Sequence, residues 1–308
     1  MVKSAFLDAA LVGLGVALLL GIAFSSRLLR RLRLLQDASR SLDERDLGTL
    51  VVPQEFVSDE IGELARAFAT MHGRLRQQED ARRAFVANAS HELRTPLTSL
   101  DGMLELLADD LDTDPIDIDD ARERVAAAQL QSRRLRGLAS DLLDLSRLDA
   151  AVELRSEPVA VAETARAVAA EFDARAHERH VSVTLDETGS QSWAQADPGS
   201  VARIVRILLD NALYVAPPDS TVSIQIGSNG AGVALEVSDE GPGVPETERE
   251  LIFERFRRGR TRSDEGGFGL GLAIGSELAA RMGGSLELAE TDGRPGATFR
   301  LRLRQVAG

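Results

Sequence analysis

Residues 89–97 read Ala-Ser-His-Glu-Leu-Arg-Thr-Pro-Leu, and the interpretation of the whole chain starts from them. They lie in a run from Phe85 to Leu111 in which apolar residues recur every three or four positions, as on one face of a helix. His91 is rotated by about 160° from Leu93, so it points away from the apolar stripe. A solvent-facing imidazole with an ordinary pKa of about 6.5 is largely neutral near pH 7 and can act as a nucleophile.

The neighbours of His91 favour phosphoryl transfer over a plain surface position. Glu92 can orient the ring or accept its proton during attack. Thr95 lies one helical turn on, over the face of His91, where its hydroxyl can position a water for the reverse reaction. Pro96 lacks an N–H, so the carbonyl of Glu92 loses its helical partner. We predict that His91 is the catalytic nucleophile, assisted by Glu92 and Thr95.

A second amphipathic helix is predicted after the breaker Asp-Thr-Asp-Pro at 112–115. Its apolar positions run from Ile118 to Leu148. Two long helices with a short connection predict an antiparallel hairpin, and two such hairpins would bury both stripes in a four-helix bundle. We therefore expect a homodimer.

Composition excludes several classes of protein. The formal charge of −13 argues against a nucleic-acid partner, which would require a basic face. Lys3 is the only lysine, which excludes both a P-loop and a protein-kinase fold, since each needs a lysine on the phosphates. The absence of cysteine excludes disulfides and thiolate metal sites.

The N-terminal segment, residues 1–26, is predicted to be a transmembrane helix. The stretch from Ala5 to Phe24 is apolar over about 20 residues, which suits a bilayer. Arginines follow at once, so that end is expected in the cytoplasm, where the rest of the chain would also lie. A cleaved signal peptide is the alternative, and it is disfavoured because no A-x-A site precedes the arginines. Because only a few residues precede the span, we expect either that no extracellular sensor domain is present or that the true start of the protein lies upstream of Met1.

Residues 27–80 are interpreted as a signal relay. An amphipathic helix from Leu28 to Leu42, a break near Gly48 and a second helix from about Ser58 lie directly below the membrane span. This order resembles a HAMP domain, although Arg45 stands where that family usually has a glycine. A plain cytoplasmic coiled coil is the alternative, and both would transmit helix motion.

The chain from 151 to 308 is predicted to be an α/β domain. Strand-like runs alternate there with helical stretches; the runs are Val181–Leu185, Val222–Ile226, Val233–Val237, Ser285–Leu288 and Thr298–Leu303. Asp197-Pro198 reads as an N-cap followed by a first-turn proline, opening a helix that reaches Val215.

Candidate nucleotide contacts follow one another through this domain. Asn211 offers a neutral oxygen for Mg²⁺. Asp239 follows a strand and can accept a hydrogen bond from an adenine amino group, while Gly241 and Gly243 let the backbone approach the base. Residues 267–271 then run into a helix whose N–H groups can face phosphates. The candidates in that run are Gly267, Gly269, Leu270 and Gly271.

These motifs, in this order, resemble those of bacterial sensor histidine kinases. Residues 89–97 resemble the phosphoacceptor box, and 141–146 resemble the end of the second hairpin helix. The motifs around Asn211, Asp239, Phe253 and Gly267 resemble the boxes of the ATPase domain that these kinases share with gyrase and MutL proteins. The resemblance implies a lid between Phe256 and Gly267, in which Arg257 and Arg258 are candidate triphosphate contacts.

Two positions depart from that family: Ile207 replaces a usual asparagine, and Tyr214 replaces a usual basic residue. The resemblance implies a multidomain chain: a transmembrane segment at 1–26, a HAMP-like relay at 27–80, a dimerisation and histidine phosphotransfer hairpin at 81–150, and an α/β sandwich ATP-binding domain at 151–308. It also implies ATP and Mg²⁺ as cofactors and an aspartate of a separate response regulator as acceptor, with phosphatase activity as a second capacity. A catalytically weak signalling scaffold and an ATP-hydrolysing conformational machine are the alternatives.

Overall fold

The computed structural model describes residues 13–26, 29, 60–112, 117–150, 153–188, 192–228, 232–257, 267–290 and 295–306. The chain divides into two compact units, Met1–Ala84 and Phe85–Gly308, and each is described by itself. In the first unit, residues 13–26 form helix α1, and α2 (Glu60–Leu111) begins.

The predicted membrane span falls partly, and the predicted relay mostly, outside the described residues. Helix α1 is apolar and exposed, with Leu18, Leu19 and Leu20 each between 64% and 68% accessible. Within the described part of the chain, no helix combines the length and the hydropathy that a bilayer crossing requires. The transmembrane segment at 1–26 therefore stays a prediction, and the structure does not test the relay at 27–80.

The second unit begins with the predicted antiparallel hairpin. Helix α2 continues through Pro96 to Leu111, and α3 spans Ile118–Asp149. The side chain of Asp117 caps α3 by accepting from the N–H groups of Asp119 at 3.0 Å and Asp120 at 3.1 Å. An ion pair between Asp110 and Arg124 joins the end of α2 to the start of α3.

At the opposite end of the hairpin, the two helices contact the same arginine of the following domain. The Arg255 guanidinium lies 5.8 Å from the ring centroid of Phe85 on α2 and 2.9 Å from Oδ1 of Asp149 on α3. Because Phe85 is near the start of the hairpin and Asp149 at its end, α2 and α3 run antiparallel, as predicted.

The C-terminal domain is a five-stranded sheet covered by helices. Its strands are β2 (Ser182–Thr188), β4 (Thr221–Ser228), β5 (Val233–Ser238), β6 (Ser285–Ala289) and β7 (Thr298–Leu303). Their order is β2-β4-β5-β7-β6, with β2 and β4 parallel and the other pairs antiparallel. All five predicted strand runs are strands, and the α/β prediction is confirmed.

Helices α4 (Val161–Glu171), α6 (Pro198–Val215) and α7 (Gly271–Arg281) cover the sheet, with the short α5 (Asp173–Glu178) beside them. Asp197 caps α6 as predicted, since its Oδ1 accepts from the N–H of Ser200 at 2.7 Å. Alternate residues of β4 and β5 are buried against these helices. A small antiparallel pair, β1 (Glu157–Ala160) with β3 (Trp193–Ala196), was not predicted from the sequence.

Candidate active site

Asn211 of α6 lines two cavities. The first, called here the apolar cavity, has a volume of about 90 Å³. Its wall is largely aliphatic and aromatic, with four polar side chains; it comprises Asn211, Val215, Asp239, Gly243, Val244, Pro245, Glu248, Ile252, Arg257, Leu272, Ala297 and Phe299. An apolar wall with few polar groups suits a flat heterocycle held by a specific hydrogen bond.

Asp239 is the polar group deepest in this wall, at 6% exposure. Its Oδ1 accepts from the backbone N–H groups of Gly241 at 2.8 Å and Ala297 at 3.3 Å. Burial raises the pKa of Asp239 above its ordinary value, while these two hydrogen bonds act in the opposite direction. Since both backbone bonds use Oδ1, Oδ2 is the oxygen that can accept from a ligand amino group.

The turn after Asp239 requires its glycines. A Cβ on Gly241 would lie 2.9 Å from both Oδ1 of Asp239 and the side chain of Val215. Gly243 has φ of +73°, and a Cβ there would lie 2.9 Å from the carbonyl oxygen of Gly296. The two glycines are therefore required by close packing against the protein itself, and the approach of this backbone to a base stays a prediction.

The second cavity, called here the basic cavity, has a volume of about 250 Å³. It lies at the start of α7, where backbone N–H groups without helical partners favour anions. Its lining residues are Asp141, Phe172, Arg203, Arg206, Ile207, Asp210, Asn211, Gly267, Phe268, Gly269 and Gly271. Leu270, which precedes α7, is fully buried and anchors the glycine-rich segment in the core.

The two ends of the predicted lid are joined to each other. The N–H of Phe256 donates to the carbonyl of Gly269 at 2.9 Å. Gly269 has φ of +71°, and a Cβ there would collide with the backbone carbonyl of Arg257. Arg257 lines the apolar cavity and pairs with Glu254, Nε to Oε2 at 3.0 Å. Arg258 lies outside the described residues, so its role as a phosphate contact stays a prediction.

The two departures from the expected motif have structural consequences. Ile207 is 7% exposed and lies 3.2 Å from the position of a Cβ on Gly271, so it packs α6 against the start of α7. Arg179 lies over the ring of Tyr214 at 5.8 Å and donates to the Tyr214 carbonyl at 3.0 Å. Neither side chain brings a positive charge to the basic cavity.

The predicted nucleophile is on α2, and its side chain is 78% exposed. Nδ1 of His91 is 4.0 Å from Oε1 of Glu92, so the carboxylate faces that ring nitrogen and Nε2 points elsewhere. The Thr95 hydroxyl donates to the His91 carbonyl at 3.3 Å. His91, Glu92 and Thr95 line neither cavity.

Two cations of the basic cavity were not predicted from the sequence. Arg203 and Arg206 precede Asn211 on α6 by eight and five residues, and all three line the cavity. Helical spacing from Asn211 was the signal that could have identified Arg203, because residues four and eight apart lie near one face. Arg206 pairs with Glu171 through two contacts of 2.7 Å, and this hydrogen bonding lowers the pKa of Glu171.

The metal-binding side chains of the site are compatible with a magnesium ion that is held chiefly by a nucleotide. Among the described residues, no cluster of three or more histidine or carboxylate side chains could hold a metal ion by itself. Magnesium characteristically binds through one or two protein oxygens together with phosphates and water. The amide of Asn211, placed between the two cavities, fits that arrangement.

Three family models match successive parts of the chain. The HAMP domain matches residues 23–77, the His Kinase A (phospho-acceptor) domain matches 81–151, and the Histidine kinase-, DNA gyrase B-, and HSP90-like ATPase matches 196–307. The second match contains His91, and the third contains Asn211, Asp239 and the glycine-rich segment.

Curated proteins and solved structures agree with these matches. The signal transduction histidine-protein kinase/phosphatase MprB of Mycolicibacterium smegmatis is 34% identical over 299 residues, which cover 95% of this chain and 59% of that protein. The chain thus spans about three fifths of that relative. Full-length ShkA in complex with AMPPNP is 29% identical, with a TM-score of 0.53 and coverage of 73% of this chain and 47% of that one. The histidine kinase ThkA in complex with response regulator protein TrrA shares the fold at 18% identity, a TM-score of 0.61 and coverage of 75% and 64%.

Proposed function

Since its successive domains match those of such proteins, the chain belongs to the bacterial sensor histidine kinases, and we propose that it transfers the γ-phosphoryl group of Mg-ATP to His91. One observation carries the proposal. Asn211 joins an apolar cavity containing Asp239 to a basic cavity at the start of α7, and a hairpin with an exposed histidine precedes both.

The proposed binding mode follows the two cavities. The adenine amino group donates to Oδ2 of Asp239, and the ring lies against the wall near Ile252 and Phe299. Gly267, Gly269 and Gly271 face the phosphates with backbone N–H groups, and Leu270 holds that segment in place. Asn211 supplies an oxygen to Mg²⁺, and Arg257 and Arg258 contribute positive charge from the lid.

The proposed chemical step uses the nitrogen of His91 that faces away from Glu92. Nε2 attacks the γ-phosphorus, the bond from that phosphorus to the β–γ bridging oxygen breaks, and ADP leaves. The positive charge that develops on the ring is stabilised by Glu92, which accepts the Nδ1 proton. Positioning and charge neutralisation supply most of the catalysis in transfers of this kind.

The proposed acceptor of the phosphoryl group is an aspartate of a separate response regulator. The complex of ThkA with its response regulator supports this at the level of a shared fold. MprB is named a kinase/phosphatase, which supports a phosphatase capacity for this chain as well. Thr95 lies one turn from His91, where a hydroxyl can orient the water that the phosphatase reaction needs.

The proposed assembly is a membrane-anchored homodimer with the domain bounds predicted above. Leu97, Leu104 and Leu111 on α2 recur every seven residues and are 47%, 50% and 53% exposed in the single chain. A heptad stripe of exposed leucines matches the contact surface of a four-helix bundle. The apolar stretch from Ala5 to Phe24, followed by arginines, supports the anchor.

The direct test is incubation of the purified chain with γ-labelled ATP. We expect wild type to carry an acid-labile, base-stable label and His91→Gln to carry none. His177→Gln is the matched control, because His177 is an exposed histidine away from both cavities. A folded wild-type chain that binds ATP and takes no label would support the scaffold alternative. ATP hydrolysis that survives His91→Gln without any labelling would support the conformational machine.

A further inference from the structure

Arg203 of α6 contacts the hairpin and also lines the basic cavity. Its Nη2 pairs with Oδ1 of Asp141, and its Nε lies 3.0 Å from Oδ2 of Asp144. The second contact is ionic and not an aligned hydrogen bond, because Nε has no partner by hydrogen-bond geometry. The three side chains are between 21% and 28% exposed, so solvent screens these pairs less than it screens surface pairs.

The same guanidinium lines the space proposed for the phosphates. Arg203 and Asp141 both line the basic cavity, together with Asn211 and the glycine-rich start of α7. Within the described lining of this cavity, the basic side chains are Arg203 and Arg206. These two arginines are therefore the cations that α6 places to meet a triphosphate, in addition to the arginines proposed from the lid.

A triphosphate and the two aspartates would compete for Arg203. Guanidinium binds phosphate oxygens through a planar pair of donors, as it binds carboxylates. Burial raises the pKa of Asp141, although Arg203 lowers it, which indicates that the charged carboxylate is poorly solvated in this contact. Turning Arg203 towards phosphate would let Asp141 regain water.

We propose that Arg203 exchanges partners, holding Asp141 and Asp144 of the hairpin when the site is empty and the triphosphate when ATP binds. ATP binding then loosens the ATP-binding domain from α3, and the hairpin carboxylates weaken ATP binding by the same factor, as reciprocal coupling requires. The inference rests on the proposed function in that ATP occupies the basic cavity. It does not require that His91 be phosphorylated.

The other hairpin contacts provide a matched control. Arg255 pairs with Asp149 at 2.9 Å, and Arg281 donates to the carbonyl of Leu148. Both contacts dock the ATP-binding domain on the end of α3, and neither residue lines the basic cavity. Asp149→Asn therefore weakens the contact between the ATP-binding domain and α3 without removing a carboxylate that competes with phosphate for Arg203.

The experiment measures the affinity of the purified full chain for AMPPNP and for adenosine by titration calorimetry. We expect the double variant Asp141→Asn/Asp144→Asn to bind AMPPNP about twofold to tenfold more tightly than wild type, with unchanged adenosine affinity. Arg203→Gln should weaken AMPPNP binding about tenfold and cancel the effect of the double variant when all three changes are combined.

Three outcomes would overturn the exchange. They are unchanged AMPPNP affinity in the double variant, an equal gain in Asp149→Asn, and an equal gain for adenosine. If Arg203→Gln fails to fold, the comparison of AMPPNP with adenosine in the aspartate variants decides by itself. Absence of a label on His91 in a chain that binds AMPPNP would refute the proposed kinase function alone, so the two failures are distinguishable.

Discussion

Replacing Asp239 with asparagine tests the proposed adenine contact without emptying the space. The two side chains have the same shape, and an amide oxygen at the Oδ1 position can still accept from Gly241 at 2.8 Å and Ala297 at 3.3 Å. The substitution therefore keeps the internal hydrogen bonds. At the Oδ2 position it replaces an acceptor with an NH₂ donor, which would face the adenine amino group.

The expected loss follows from the hydrogen bond that disappears. A hydrogen bond to a charged acceptor contributes about 1.5–3 kcal/mol, and leaving two donors opposed keeps the loss near the upper end. At about 1.4 kcal/mol per tenfold change, the ATP dissociation constant should rise about 10- to 140-fold. The thermal midpoint should stay level or rise, because a poorly solvated carboxylate has been removed.

The assay is a pair of measurements on the full chain: ATP affinity by calorimetry and unfolding by circular dichroism. Asp186→Asn is the control, because it makes the same chemical change at an exposed position on β2. We expect that variant to bind ATP like wild type. Unchanged ATP affinity in a folded Asp239→Asn chain would refute the assignment of Asp239 to the adenine. If the Asp239→Asn chain does not fold, the expectation that the asparagine keeps the hydrogen bonds from Gly241 and Ala297 is wrong.

Three further predictions concern pH, the lid and the dimer. Because the folded pKa of Asp239 is raised, the native state binds its proton more tightly than the unfolded state. The free energy of unfolding of wild type should thus fall relative to that of Asp239→Asn as pH rises from about 3.9 to that raised pKa. Urea unfolding at a series of pH values measures this difference. A difference that stays constant with pH would contradict the prediction. Gly269→Ala should lower the free energy of unfolding by about 1–3 kcal/mol, because φ is +71° and the new Cβ would meet the carbonyl of Arg257. The control Gly102→Ala lies in open space on α2 and should instead raise the melting temperature. Leu104→Glu should convert dimer to monomer in sedimentation while helicity is retained; a dimer that persists would exclude α2 as its interface.

Local sequence patterns predicted most of the fold because most of its elements are locally encoded. Each of the five main strands has several apolar residues flanked by turn residues, and α6 carries its own cap at Asp197. The pair β1 and β3 was missed because each strand has four residues, Pro158 lies in the first, and their pairing joins residues 33 to 39 positions apart. Short strands of this kind are stabilised by tertiary contacts, which a local pattern does not contain.

The same distinction separates the predicted site residues from the missed ones. Asn211, Asp239 and Gly243, which line one cavity, could be predicted as site residues because each lies in a short motif that suggests a backbone or chemical role. Arg203 was missed because its partners, Asp141 and Asp144, are about 60 positions earlier on another helix. In a chain with 36 basic residues, nothing in the local sequence marks one arginine as the contact to the hairpin.

The departures at Ile207 and Tyr214 and the position of Arg203 have a common consequence. Ile207 closes the gap between α6 and α7 with an apolar contact, and Tyr214 removes charge from the C-terminal end of α6. The positive charge that faces the basic cavity therefore comes from the N-terminal half of α6, which is also the half that contacts α3. Arg203 is therefore shared between Asp141 and the basic cavity, whereas Tyr214 lines neither cavity and its ring lies beneath Arg179.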